Sequence, residues 1–379
     1  MSRKDYWDSE YEKRVILDPT GAKRIVAAKR KRVIKVICIC FVALICACIA
    51  ALMGVRAMGK SKLENHEDTA HPEIITQETL ELPKEEKEKW QDGWIKYNGK
   101  IYEYNDNIMT FLIMGIDKAG KVREVAEGTN GGQADALFVL VLDPDEKKIK
   151  IVGINRNTMA DINIYNEMGD YVTTTKAQIA VQHGFGNGVE ESCEYQLEAV
   201  RRLLYNLPFN GYAAINMKAV PLINDNVGGV NVEALSDVYD GNDRKIIKQG
   251  DAVHLMGNNA YWYLRDRDIT EFASADLRLA RQKQYLTAFV VAAKSAFKED
   301  IGVVSDIYNS ITPYMTTDVT FDEVAYLAPE IVDYSFDSNS FYMIAGETVQ
   351  GEEFEEYYVD EEALYDLIIN IFYKEVEHD

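Results

Sequence analysis

The sequence predicts an α/β protein: a three-layer αβα domain with a mixed central sheet, preceded by a single transmembrane helix. Three observations predict it. A charge-free apolar run of membrane length lies near the N-terminus, three β-like runs follow one another after residue 108, and helical patterns then alternate with short β-like runs. At 379 residues, 47% hydrophobic and 11% aromatic, the chain carries too much apolar material to be disordered throughout.

The formal charge of −21 comes from 62 acidic and 41 basic residues, which argues against nucleic acid as a partner. Residues 1–35 hold 11 Lys and Arg against 5 Asp and Glu, residues 36–55 hold none, and the remainder holds 30 against 57. The uncharged run VICICFVALICACIAALMGV, residues 36–55, spans a bilayer core of roughly 30 Å at about 1.5 Å rise per residue. Lys29, Arg30, Lys31, Arg32 and Lys35 precede it. The positive-inside rule therefore makes residues 1–35 a cytoplasmic tail and leaves everything after about Arg56 outside, on a single-pass cell-membrane protein. A cleaved signal peptide fits less well, because its apolar region is only about 7–15 residues long. A lipobox at Ile45-Cys46-Ala47-Cys48 also fits less well, because apolar residues continue beyond Cys48. Four of the five cysteines lie in this run and only Cys193 lies outside, so the outer domain relies on core burial rather than disulfides.

Residues 56–104 read as an acidic juxtamembrane linker punctuated by Pro72 and Pro83, with WIKYNGKIYEYN patterned as a small hairpin turning at Asn98-Gly99. The β-like runs are IMTFLIMGI (108–116), ADALFVLVLD (134–143) and KIKIVGINR (148–156). The middle one is almost wholly apolar, which predicts a central strand covered on both faces. Helical patterns appear in TTKAQIAVQHG, CEYQLEAVRRLLYNLPF and ASADLRLARQKQYLTAFVVAAKSAF, with GYAAINM and VGGVNV as β-like runs between them. The main domain is thus expected at 105–300. Residues 301–379 form a C-terminal α/β extension in which no residue stands out as catalytic.

After the apolar run the chain has ten arginines, and four fall within seventeen positions: Arg265, Arg267, Arg278 and Arg281. If AYWYLRDRD is extended, Arg265 and Arg267 point to one face. In DLRLARQKQY the residues Arg278, Arg281, Gln282 and Tyr285 share a helical face. Arg156 ends a β-run, where open α/β sheets place their ligands. Guanidinium forks suit phosphate oxygens; ion pairing with Asp266, Asp268, Glu271 and Asp276 is the structural alternative. Asp117 and Asp135, at β-run ends, could hold Mg²⁺ beside phosphates or simply cap turns. The glycine-rich GFGNG lacks the Lys-Ser/Thr of a nucleotide P-loop. His183 and His254 have no serine or cysteine placed for a triad, and His183 reads as a helix-end or loop residue.

Taken in order, MGID, QAD before an apolar strand, IVGINRNT, NVGGVNV, AYWYLRDRD and DLRLARQKQ resemble the LytR-CpsA-Psr family of membrane-anchored cell-wall proteins. The resemblance covers about residues 108–300, and the paired RxR followed by D-x-R-x-x-R-Q is its most specific part. It implies an Mg²⁺-dependent phosphotransferase of the Gram-positive type of envelope. Such an enzyme moves a glycan-1-phosphate from a polyprenyl-pyrophosphate carrier to peptidoglycan, attaching teichoic acid, capsule or a similar polymer. It implies Asp117 and Asp135 as metal ligands, and Arg156, Arg265, Arg267, Arg278 and Gln282 around the phosphates, with Arg281 on the same helical face and Arg123 as a further pocket arginine. Two departures stand out: Gln133 where the family has arginine, and Asn157 where it has a carboxylate. They open a second expectation, a weakened polyprenyl-glycan-binding scaffold or regulator of envelope assembly.

Overall fold

The apolar runs become the middle of a six-stranded mixed sheet. The computed structural model describes residues 50–66, 70, 72–83, 90–91, 93–125, 131–166, 168–268, 272 and 274–376. Its central strands are β1 (Met109–Ile116), β2 (Ala134–Asp143), β3 (Lys148–Ile154), β4 (Gly211–Asn216), β5 (Met315–Thr317) and β6 (Phe341–Met343), in the spatial order β5-β4-β1-β2-β3-β6. The pairs β1/β4 and β3/β6 are parallel and the other three antiparallel.

Strand β2 is central, as its composition predicts, and its alternating residues feed two cores. Leu137, Val139 and Val141 join Leu112, Met114, Val152 and Ile154 on one face. There they pack on Leu197 and Val200 of α1 (Glu190–Leu203) and on Leu364, Ile368 and Phe372 of a C-terminal helix. On the other face Phe138 and Ile151 meet Leu279 of a long helix, and Phe111 lies in a cluster with Leu327. A one-residue slip of β2 would exchange the two sets, so burial on both faces fixes its register. Helices therefore cover both faces of the sheet.

Residues 301–379 are built into this sheet. They supply both edge strands, β5 and β6, and a helix at Phe321–Ile331 that starts with a Thr320/Glu323 capping box. They also supply the helix Glu361–Phe372. Tyr373–Glu375 pairs with Lys100–Tyr104, which forms a hairpin with Ile95–Tyr97. At its tip Asn98 and Gly99 take φ values of 50° and 74°, the left-handed pair that an Asn-Gly turn provides.

One helical expectation gives way. In TTKAQIAVQHG the chain is a strand, Tyr171–Gln178, paired antiparallel with Met159–Tyr165, and continues as a 3₁₀ helix, Ile179–Phe185. Thr173, Thr174 and Thr175 are β-branched and lose side-chain freedom in a helix, whereas a two-stranded ribbon accommodates them.

Residues 58–379 form one compact unit, and residues 50–57, in a separate N-terminal unit, are helical. Residues 1–49, which include the tail and most of the expected membrane span, lie outside the described residues. Among those described, no helix is long and apolar enough to cross a membrane.

Candidate functional site

The C-terminal end of β1, the N-terminal end of β2 and the C-terminal end of β3 meet at one edge of the sheet, because β2 runs antiparallel to both neighbours. This edge carries Asp117, Asp135 and Arg156. Asp135 is the pivot. Its Oδ1 lies 3.0 Å from Arg156 Nε and its Oδ2 3.3 Å from Arg278 Nη1, so one carboxylate joins the sheet to α3 (Ser274–Glu299). Arg156 also donates through Nη2 to the side-chain carbonyl of Gln133.

Arg278 is 8% exposed at its side chain. Burial holds its pKa down to about 10, offset in part by Asp135 and reinforced by the nearby Arg156, Arg267 and Arg281. It is still a cation at neutral pH, in a place where further negative charge is welcome.

The expected shared face of Arg265 and Arg267 does not form. The helix Asn258–Arg265, here α2, ends at Arg265, and the chain turns extended at Asp266 with ψ 131°. Arg265 is exposed, with its guanidinium 5.6 Å from the Trp262 ring centroid and 5.7 Å from that of Tyr261. Arg267 turns inward, donating from Nε to Ser274 Oγ at 2.9 Å and pairing through Nη2 with Glu355 Oε2 at 3.1 Å.

The face of α3 bearing Arg278, Arg281, Gln282 and Tyr285 is buried as a unit, in accord with its spacing. Its members divide the work. Arg281 donates to the Asp266 carbonyl and lies 5.8 Å from the Tyr263 ring, while Gln282 donates to the Leu264 carbonyl at 3.4 Å. These two hold the end of α2 and the segment that carries Arg267. Arg123 is exposed in a loop.

Sequence reasoning missed Glu355. It arrives from the antiparallel pair Gly346–Gln350 and Glu355–Val359, far along the chain. Besides Arg267 it accepts from Asn157 Nδ2 at 3.4 Å, and Gln178 bridges the Asn157 side-chain oxygen and the Glu355 carbonyl. A second outlying carboxylate, Asp276, accepts from Asn155 at 2.7 Å and Thr348 at 2.9 Å. Asp276 is offered by the sequence as an ion-pair partner of the arginines, whereas no motif near Glu355 marks it.

Asp117 is exposed and accepts the Gln133 N–H at 2.8 Å. Among the described residues no group of three or more His, Cys, Asp or Glu side chains is arranged to hold a metal. Two carboxylates are nonetheless hard oxygen donors, and Mg²⁺ is commonly held by one or two carboxylates completed by substrate phosphates.

His183 is a helix-end residue, in the last turn of its helix, and not one member of a nucleophilic pair. It is buried in the 3₁₀ helix, with Nδ1 2.9 Å from the Gly132 carbonyl. Cys193 Sγ lies 4.0 Å from Nε2, but burial pushes that thiol far above its usual range. Burial also lowers the His183 pKa. A group depressed on folding leaves stability intact above its unfolded pKa, about 6.5, and removes it as pH falls from there through the folded value. Urea midpoints in EDTA should therefore drop between pH 7 and 5, and His183→Gln should flatten that slope. An unchanged slope would remove His183 as its cause.

A mixed α/β sheet with four buried or half-buried guanidiniums, Arg156, Arg267, Arg278 and Arg281, paired with carboxylates near the ends of its central strands defines the class: an α/β protein with an arginine-rich site. The comparisons narrow this class. The LytR_cpsA_psr family model matches residues 73–368, and the chain belongs to that family. Over 217 residues it is 27% identical to the polyisoprenyl-teichoic acid–peptidoglycan teichoic acid transferase TagU of Bacillus cereus, covering 57% of this chain and 62% of that one. The alignment thus spans about six-tenths of the relative. The fold matches the crystal structure of B. subtilis TagV with a TM-score of 0.54, at 23% identity over 70% of this chain and 96% of that one. It also matches TagT bound to LI-WTA, with a TM-score of 0.51, at 17% identity over 71% and 92%.

Proposed function

We propose that this protein is a cell-envelope phosphotransferase. It transfers a glycan-1-phosphate from a polyprenyl-pyrophosphate carrier to peptidoglycan, working outside the membrane while anchored by residues 36–55. The observation that carries the reading is Asp135 bridging Arg156 and Arg278 at the edge of the central sheet. Family membership and the similarity to transferases support the reaction class.

A hydroxyl oxygen of the acceptor attacks the phosphorus that bears the sugar. The new P–O bond forms as the bond to the bridging oxygen breaks, and polyprenyl monophosphate leaves, its phosphate taking up the proton that the hydroxyl releases. Phosphoryl transfer asks a protein mainly for positioning and charge stabilisation. Arg156, Arg267 and Arg278 supply both, each fixed by a carboxylate before substrate arrives. That pairing also leaves the apo cluster close to charge balance, so an incoming pyrophosphate favours a cation entering with it. Asp117 and Asp135 are the residues that would hold Mg²⁺, whose contribution is neutralisation of the phosphate oxygens.

The two departures from the family pattern are compatible with turnover. Gln133 accepts from Arg156, and Asn157 is tied to Glu355, which supplies a carboxylate beside Arg267. The amide at 157 also favours a second reading, a protein that holds the carrier without cleaving it.

Mass spectrometry separates them. Residues 58–379, incubated with a polyprenyl-pyrophosphoryl glycan, Mg²⁺ and peptidoglycan fragments, should release polyprenyl monophosphate and yield a phosphodiester-linked product, with release lost in EDTA. Bound but intact carrier would establish the holding role. Absence of both binding and cleavage by folded protein would remove the pyrophosphate reading.

A further inference from the structure

The antiparallel pair Gly346–Gln350 and Glu355–Val359 forms a hairpin late in the chain, and both of its strands are tied to the arginine site. On the first strand Thr348 Oγ1 donates to Asp276 Oδ2 at 2.9 Å, and Asp276, in the first turn of α3, also accepts from Asn155 at 2.7 Å. On the second, the Tyr357 N–H donates to the Asn157 carbonyl at 3.0 Å, and Gln178 Nε2 reaches the Glu355 carbonyl at 2.7 Å. The hairpin is closely packed, since a Cβ on Gly346 would lie 2.3 Å from the Tyr358 carbonyl oxygen. Glu355 is thus presented from a frame bonded to the residues on either side of Arg156. Its Oε2 accepts from Arg267 Nη2 at 3.1 Å and from Asn157 Nδ2 at 3.4 Å, so one oxygen serves both. The Arg267 and Glu355 side chains are only 16% and 10% exposed, and removing either partner of so buried a pair leaves the other's charge uncompensated.

We propose that Glu355 is a positioning residue of the phosphate site: it fixes the Arg267 guanidinium for a phosphate oxygen and carries there the negative charge that the amide at 157 lacks. The other tether of Arg267, from Nε to Ser274 Oγ, sets one edge of the guanidinium but brings no charge. The C-terminal hairpin is thereby part of the site and not an appendage to it. Charge and amide at positions 157 and 355 are consequently exchangeable. Asn157→Asp alone sets a second carboxylate against Glu355 across what is now a hydrogen bond, and like charges at that range repel. Glu355→Gln alone leaves Arg267 without its counter-charge. The two changes together restore one carboxylate and one amide, with the direction of the hydrogen bond between them reversed. The inference rests on the proposed transfer reaction for its effect on rate, and on the geometry alone for its effect on anion binding.

The test compares four full-length proteins in detergent: wild type, Glu355→Gln, Asn157→Asp and the double variant. Release of polyprenyl monophosphate gives kcat and KM, calorimetric titration with inorganic pyrophosphate reads the site without cleavage, and melting curves check each fold. Glu355→Gln should lower kcat by about 10²-fold, the usual effect of a misplaced catalytic group. It should bind pyrophosphate at least as tightly as wild type, because Arg267 has lost a competing carboxylate. Asn157→Asp should weaken pyrophosphate binding and slow turnover, and the double variant should be faster than either single one. A merely structural Glu355 would shift melting without this split or this recovery. Should Glu355→Gln melt too low to assay, Glu355→Asp replaces it: the charge stays but the shorter side chain withdraws from Arg267, so kcat falls while pyrophosphate affinity holds. A kcat within about threefold of wild type in the folded variant at 355, or a double variant no faster than Glu355→Gln, would overturn the proposal. If wild type binds pyrophosphate but cleaves no carrier, the transfer reading alone fails and the affinities decide. Tighter binding in Glu355→Gln, weaker in Asn157→Asp and a return to the wild-type value in the double variant would uphold the exchange; equal affinities, or no binding by any of the four, would overturn it.

Discussion

Replacing Arg278 by methionine is expected to slow release of polyprenyl monophosphate by about 10²- to 10³-fold, the usual effect of removing one preorganised donor from developing charge. Methionine occupies a similar unbranched volume, so packing of α3 against the sheet is largely kept. Asp135 would still be paired with Arg156 at 3.0 Å, so no carboxylate is left isolated. The loss should therefore fall on kcat rather than on folding. The arginine most affected by burial is also the one pressed by three neighbouring cations, so an anion relieves Arg278 more than a solvated arginine. Initial rates on a polyprenyl-pyrophosphoryl glycan, with a melting curve alongside, check this. A change below about threefold would mean that Arg278 serves only to hold the fold. Arg265, stacked on its own helix, is the poorer choice for such a test.

The second large effect is on stability. Asp135→Asn takes a single negative charge from between two guanidiniums whose side chains are 15% and 8% exposed. Breaking a buried pair by removing one partner typically costs about 3–5 kcal/mol. With Asp135 itself 26% exposed, the lower end of that range applies, about 3 kcal/mol in a urea titration. The sign can be tested again with an anion. Inorganic pyrophosphate should bind the variant's uncompensated cations and recover part of the lost stability in proportion to its concentration. Wild-type protein should gain less. An unshifted midpoint, or a shift that pyrophosphate leaves untouched, would contradict the bridging role assigned to Asp135.

Much of this site could be read along the chain because its parts sit at the ends of regular elements. The alternating and wholly apolar runs placed β1, β2 and β3 within a residue or two, and with them the positions of Asp117, Asp135 and Arg156 at strand ends. The spacing of Arg278, Arg281, Gln282 and Tyr285 predicted one helical face, and all four are buried together. What those residues touch was less legible. Arg281 and Gln282 are spent on the carbonyls at the end of α2, and Arg265 is separated from Arg267 by a helix terminus that an RxR spacing does not reveal. TTKAQ, whose pattern reads as helical, is a strand for a related reason: a short run takes the form its partner imposes, and here the partner is Met159–Tyr165.

By itself the sequence determined the periodic elements, the uneven charge and the concentration of arginine, since each depends on residues near one another in the chain. Only the tertiary structure decided that residues 301–379 close both edges of the sheet, that Glu355 meets Arg267 across 88 positions, and that Asp135 meets Arg278 across 143. Local sequence carries no record of such pairings. They follow from how two apolar faces of one sheet are covered, because burying those faces brings distant charged residues to the same edge and leaves each to find its counter-charge there.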